Sequence, residues 1–188
     1  MSQLPTNDIK PGMKLEIDKD PYVVVSNEFV KPGKGQAFNR IRVKNLLTSR
    51  VVEKTFKSGE KLALADVEER QMRFLYQDGD SGVFMDEENF EQINIAHAIL
   101  KNNLAWLKDD MVYEVVFYKG SAIDIIPPTF MELQVTETAP GVRGDTASGR
   151  VLKPAVVETG AKVQVPIFID EGEMIKIDTR NGEYVSRV

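Results

Sequence analysis

The sequence predicts an all-β chain built as three small barrels in a row, and three observations predict it. Apolar and polar residues alternate in short runs, which is the period of a half-buried strand. Gly, Pro, Asn and Asp separate those runs at short intervals, as they do in small barrels. A sustained helical period occurs once, over residues 96–109. With 188 residues, 42% hydrophobic and 28% charged, the chain is long enough for two or three small domains of ordinary globular composition.

The first segment is read as residues 1–64. Leu15-Glu16-Ile17 alternates, Asp18–Pro21 reads as a turn, and Tyr22–Val30 is the first long strand. A second alternating run leads from Ala37 to Leu46. Between them lies Lys31-Pro32-Gly33-Lys34-Gly35-Gln36, where proline fixes one φ and two glycines are free to take positive φ. This reads as a β-hairpin tipped by a lysine without side-chain neighbours on either side. Ser26–Gly33, at about 3.3 Å per residue, would carry that lysine about 25 Å from the barrel. On the returning strand Phe38, Arg40, Arg42 and Lys44 share one face, and Asn39, Ile41 and Val43 the other. One face is therefore basic, suited to a phosphate backbone, while the other covers a core. Arg50–Phe56 is another strand, and Lys57-Ser58-Gly59-Glu60 closes what reads as an SH3-like barrel.

Residues 65–128 form the second segment. Gln71–Tyr76 and Gly82–Met85 flank an Asp78-Gly79 hairpin signal, and Phe90–Ile95 is a further strand. The helix over 96–109 places Ile99, Leu100, Leu104 and Leu107 near a 3.6-residue period, with Trp106 alongside. Met111–Tyr118 and Ala122–Ile126 form a hairpin around Lys119-Gly120, and Pro127-Pro128 ends the segment. Strands, one short helix and more strands describe an OB-like five-stranded barrel. The third segment, 129–188, opens with Phe130–Thr136 and passes through a loop-rich stretch from Ala139 to Gly149. It continues through Val156-Val157, Lys162–Ile169 and Glu173–Thr179 and is OB-like again. The two rhythms are similar, without a repeat at the level of residues.

Charge is segregated along the chain. Residues 1–64 hold 12 Lys and Arg against 7 Asp and Glu, a net +5; residues 65–128 hold 5 against 13, a net −8; residues 129–188 hold 7 against 9, a net −2. The basic first third is where an RNA-facing surface is expected, against the overall −5. The absence of cysteine excludes disulfides, thiol catalysis and Cys-ligated metal. No apolar run approaches the ~18 residues of a membrane span, and Met1–Lys10 is polar, so a cytoplasmic protein without membrane attachment is expected.

The tip is neither of two familiar phosphate loops. A Walker A loop needs Gly at the position of Glu28 and Ser or Thr at that of Gly35, and a dinucleotide fingerprint needs Gly where Phe38 stands. Local physics alone also allows a solvated turn whose lysines discourage edge-to-edge pairing. The acids Asp86, Glu87, Glu88 and Glu91 could be imagined as a hydrolase or metal site, but four acids beside a turn read as a solvated loop. The single His97 lacks a partner at metal-ligand spacing, and no serine lies in a G-x-S-x-G elbow. No catalytic residue, metal or cofactor is therefore assigned. Gly144-Asp145-Thr146 offers backbone, a carboxylate and a hydroxyl on a loop that an Asx-type turn explains equally well. Tyr184 and Arg187 pair an aromatic with a guanidinium, which suits a nucleic-acid backbone or a plain terminal strand.

Taken together, Glu28-Phe29-Val30-Lys31-Pro32-Gly33-Lys34-Gly35-Gln36-Ala37-Phe38, Asn45-Leu46-Leu47-Thr48 and Glu53-Lys54-Thr55-Phe56-Lys57-Ser58 resemble bacterial elongation factor P. So do Lys153-Pro154-Ala155, Gly160, Val163, Val165-Pro166, Ile169, Gly172, Asp178-Thr179-Arg180 and Gly182-Glu183-Tyr184-Val185-Ser186-Arg187, and the resemblance covers essentially the whole chain. It implies an SH3-like (KOW-type) domain followed by two OB folds, in an L-shaped, tRNA-like outline. It implies a monomeric, non-enzymatic elongation factor that binds the 70S ribosome between the P and E sites. There it would relieve stalling at consecutive prolines by positioning the acceptor end of P-site peptidyl-tRNA or initiator tRNA. By the same resemblance Lys34 would be post-translationally modified, by β-lysylation with hydroxylation, through an enzyme related to lysyl-tRNA synthetase. Lys31, Gly33, Lys34, Gly35, Arg40, Arg42 and Lys44 would face rRNA and tRNA, as would Tyr184 and Arg187. Gly144, Asp145 and Thr146 would face the E-site codon region.

Overall fold

The computed structural model describes residues 2–141 and 151–188. Sixteen strands are defined among them. The first six are β1 (Gln3–Pro5), β2 (Lys14–Ile17), β3 (Asp20–Val30), β4 (Phe38–Asn45), β5 (Val51–Lys57) and β6 (Lys61–Leu64), in one sheet of order β1-β6-β2-β3-β4-β5. Leu15, Val24, Ile41 and Val43 project inward from β2, β3 and β4 and pack with Ile9, Ile17 and Leu62. The short strands β1 and β6 were not expected. Pro5 lacks an N–H and sits on the edge strand, where none is needed by a further neighbour. A 3-10 turn at Thr6–Asp8 ties this edge to the end of the barrel: the Thr6 N–H donates to Glu60 O at 2.9 Å, and Gly59 N donates to the Thr6 hydroxyl at 2.9 Å.

The middle sheet comprises β7 (Val67–Asp78), β8 (Ser81–Asp86), β9 (Gln92–Ala96), β10 (Val112–Tyr118) and β11 (Ser121–Ile126), ordered β11-β10-β7-β8-β9. The third comprises β12 (Phe130–Thr138), β13 (Leu152–Val157), β14 (Lys162–Pro166), β15 (Met174–Asp178) and β16 (Glu183–Arg187), ordered β14-β13-β12-β15-β16. Both sheets are built the same way around a long first strand, with its sequence neighbours on one side and the last-formed hairpin on the other. The shared architecture is a repeat that the residues themselves do not reveal. The chain forms two compact units, Met1–Arg70 with Val115–Asp124, and Gln71–Glu114 with Ile125–Val188.

The helix expected over 96–109 is much shorter. One α-helical turn, α1 (His97–Leu100), is followed by a 3-10 segment, Lys101–Trp106. Lys101 has φ +51° and ψ −126°, a backbone state that no α-helix continues through. The apolar spacing that suggested one helix serves two separate duties. Leu100 is buried beside Phe74 and Phe84, within reach of Gly82. Trp106 instead packs into the third barrel's core with Met131, Leu133, Val163 and Ile177. Tyr113, fully buried, accepts from Lys108 N at 2.8 Å and donates to Trp106 O, and burial pushes its phenol up to about 12.

Candidate functional site

The hairpin is braced more fully than its sequence suggested. β4 pairs with β5 along its length, from Lys44 opposite Val51 to Phe38 opposite Lys57, and Ser58 N donates to Ala37 O at 3.1 Å. The arm is therefore three-stranded to its end. The free reach is the loop 31–37 alone, rather than the two-stranded finger of Ser26–Gly33.

Inside β3 the register against β4 shifts: Val24 faces Val43, but Ser26 faces Arg42. Val25 is the extra residue, 43% exposed, and forms a β-bulge. Inward parity changes there. Val24 is buried before the bulge, whereas Asn27 and Phe29 stand opposite inward-facing Ile41 and Asn39 after it. Glu28 consequently lies opposite Arg40 on the outer face.

That outer face carries Phe38, Arg40, Arg42 and Lys44 as the alternation predicted, with Asn39, Ile41, Val43 and Asn45 buried on the other. Its charge is smaller than expected. Arg40 sits between Glu28, at 3.6 Å, and Glu53, at 3.3 Å, with its guanidinium 6.0 Å from the Phe38 ring centre. These exposed pairs add little stability, but they balance the charge of Arg40. Arg42 and Lys44 are exposed, and neither forms an ion pair among the described residues. The net positive contribution of the face rests on those two.

At the tip Lys31, Gly33, Lys34, Gly35 and Gln36 are exposed. Lys34 has no ion pair or hydrogen bond among the described residues. Gly35 adopts φ +126°, a conformation that side chains resist. Gly33 differs: a Cβ there would meet nothing within 4 Å. Among the described residues nothing demands glycine at 33.

The other candidates lie apart from the tip in sequence. Asp86 is 5% exposed and accepts from Glu88 N at 2.8 Å, holding its own turn, while Glu87 binds Arg73 at 2.7 Å. Asp86 and Glu87 are thus committed to contacts within the fold. His97 pairs with the Gln77 amide oxygen at 2.7 Å. Gly144, Asp145 and Thr146 lie outside the described residues. Tyr184 and Arg187 are both on β16, in the second unit. Tyr184 is half-buried against the third core, and burial raises its phenol. Arg187 is already engaged, 3.2 Å from Glu173 and 5.2 Å from the Phe168 ring centre.

One cluster escaped the sequence reading entirely. Glu16 on β2 accepts from the Tyr118 hydroxyl at 2.8 Å and pairs with Lys119 at 3.3 Å, and all three belong to the first unit. The Tyr118 hydrogen bond, then Lys119, hold the Glu16 carboxyl below its ordinary value, against the opposing effect of burial. The partners are 102 positions apart, and no local pattern signals them. A carboxylate lowered by folding stabilises above its unfolded pKa, and that stabilisation is lost as pH falls through the folded value. The Tyr118→Phe chain is therefore expected to be less stable than the natural one near neutrality, and the difference to shrink in acid. Urea midpoints for both chains at neutral pH and at about pH 3 check this.

Comparison with known proteins assigns each barrel. Residues 5–62 match the model of the elongation factor P KOW-like domain, 67–125 that of its OB domain, and 131–187 that of its C-terminal domain. Elongation factor P 2 of Protochlamydia amoebophila is 63% identical over 188 residues, covering 100% of this chain and 99% of that protein. Its counterpart in Chlamydia caviae is 60% identical with the same coverage. Among solved structures, eukaryotic translation initiation factor 5A from Methanococcus jannaschii superposes with a TM-score of 0.54 at 21% identity, over 67% of this chain and 94% of that one, a likeness of fold. The architecture is therefore a KOW-like barrel followed by two OB-type barrels, and the chain belongs to the elongation factor P family of translation elongation factors.

Proposed function

We propose that this chain binds the ribosome between the P and E sites and stimulates peptide-bond formation at consecutive prolines, with Lys34 as its working end. The observation that carries the reading is Lys34 itself: exposed, without a partner among the described residues, and held by a loop on a three-stranded arm. Proline's restricted φ and missing N–H make it a poor peptidyl acceptor. A factor that holds the tRNA acceptor end in a reactive pose lowers the barrier by positioning, and donates neither proton nor nucleophile. The chemistry remains the ribosome's.

Three functional domains, 1–64, 65–128 and 129–188, complete the reading. Lys34 is the substrate of an enzyme related to lysyl-tRNA synthetase, and its extension by β-lysylation, with hydroxylation, lengthens the reach of the short free loop. Lys31, Gly33, Gly35, Arg42 and Lys44 face rRNA and tRNA, with Arg40 in a lesser part because Glu28 and Glu53 already balance it. Tyr184 and Arg187 lie along tRNA, and Gly144, Asp145 and Thr146 face the E-site codon region. The factor works as a cytoplasmic monomer.

Ribosome binding measured against salt tests the basic face. Arg42→Gln and Lys44→Gln should each flatten the slope of log affinity against log salt by about one unit, the change expected when a cation no longer neutralises its phosphate. Arg40→Gln should change it less. An unchanged slope in the double variant removes this face from the mechanism.

A further inference from the structure

A cleft of about 420 Å³ beneath the arm is lined by Asn7, Ile9, Asn27, Phe29 and Asn39. Its amides form a relay with a fixed direction. The Asn27 nitrogen donates to Thr6 O at 2.8 Å and to Ile9 O at 2.9 Å. Both partners are acceptors, so the Asn27 amide can be placed only one way, with its oxygen toward Asn39. Asn39 meets that oxygen with its own nitrogen at 3.0 Å. Turning the Asn39 amide over would set two oxygens against each other. Its oxygen is consequently left as a buried acceptor with no partner among the described residues, on a side chain only 2% exposed. Such an atom is costly unless something supplies a donor. Opposite Asn39 in the strand register stands Phe29, a residue 54% exposed.

We propose that this cleft is a single-nucleobase pocket, in which an unstacked RNA base lies against Phe29 and donates its exocyclic amino group to Asn39 Oδ1. The proposal rests on ribosome association as read above and adds a specific point of contact. The pocket asks for a flat ligand bearing a neutral N–H donor. None of its lining residues is charged, so it offers nothing to select a lysine or arginine of a protein partner. Lys31 and Lys34 at the end of the same arm provide for the phosphates that accompany a base, whereas Arg42 and Lys44 lie on the opposite face. Adenine, cytosine and guanine each carry an exocyclic amino group, whereas uracil has none and offers only its ring N3–H between two carbonyl oxygens, so it is disfavoured. The acceptor is covered in the free chain, so the base enters with a local rearrangement of the cleft.

Dimethyl sulfate and kethoxal probing of rRNA and tRNA, with the full chain bound to ribosomes, read the Watson–Crick edges of adenine and cytosine and of guanine respectively. One such base should be protected by the natural chain. It should regain factor-free reactivity with Phe29→Ala and with Asn39→Val, while both variants at saturating concentration still cosediment with ribosomes. Loss of the stacked base should weaken binding by Phe29→Ala about fivefold to a hundredfold. Phe29 is a surface residue, so that variant remains informative if Asn39→Val fails to fold. Identical protection by natural and variant chains overturns the pocket and leaves ribosome binding standing. Unchanged protection with slowed modification of Lys34 assigns the cleft to a protein partner and overturns it equally. Failure of the natural chain to cosediment overturns the reading on which the pocket rests.

Discussion

Lys34→Ala should yield a folded protein that no longer relieves stalling at consecutive prolines. The side chain makes no contact that the fold needs, so stability should stay within about 0.5 kcal/mol. The expected loss is at least tenfold in the rate of proline–proline bond formation, or ~1.4 kcal/mol of transition-state preference. A reconstituted translation assay with a polyproline reporter measures it, alongside a circular dichroism spectrum matching the natural chain. Full stimulation by the alanine variant would remove Lys34 from the mechanism. The mass of the peptide spanning residues 32–40, taken from the native cell, identifies what the lysine carries when the assay succeeds.

Phe84→Ala should produce the largest loss of stability. Phe84 is fully buried, 5.3 Å from Phe74 in a tilted pair and 6.1 Å from Tyr113 edge to face. Truncating such a ring costs about 3–5 kcal/mol, from reduced burial and from the cavity left behind. Gly82, on the same strand, makes room for it: a Cβ there would come within 3.0 Å of Phe84 Cε2 and 3.3 Å of Phe74 Cε2. Gly82→Ala alone should therefore cost about 1–3 kcal/mol by crowding. In the Phe84→Ala background it should cost less, because the ring it strikes is gone. Urea unfolding followed by circular dichroism gives both values, and purely additive losses would mean that the rings do not crowd residue 82.

Much of this was legible in the residues because it is local. Pro32 with Gly33 and Gly35 announces a turn, and the alternation from Phe38 to Lys44 assigns the faces of β4 correctly. Local pattern fails where the outcome depends on what lies across the sheet. Arg40 counts as a free cation until Glu28 and Glu53 are brought opposite it by strand pairing. Trp106 belongs by sequence to the second segment, yet it fills the third core. The residues 96–109 satisfy a helical period, but Lys101 breaks the backbone so that two turns can serve two cores. Asn39 appears as one polar residue at an inward strand position; only the relay through Asn27 reveals which of its atoms is left over.

The bulge at Val25 has an evolutionary consequence. It acts as a one-residue offset between two gear trains: the barrel reads even-numbered positions of β3 as interior, and the arm reads odd-numbered ones. Point substitutions on either side can drift independently, since neither alters the other's phase. Loss of Val25 itself would keep Val24 opposite Val43 and Ser26 opposite Arg42 and only regularise the ladder. Loss of one codon beyond the bulge, at Asn27, would instead turn Glu28 under the arm and Phe29 toward the arginines. Selection on this stretch should therefore police its length more strictly than its spelling.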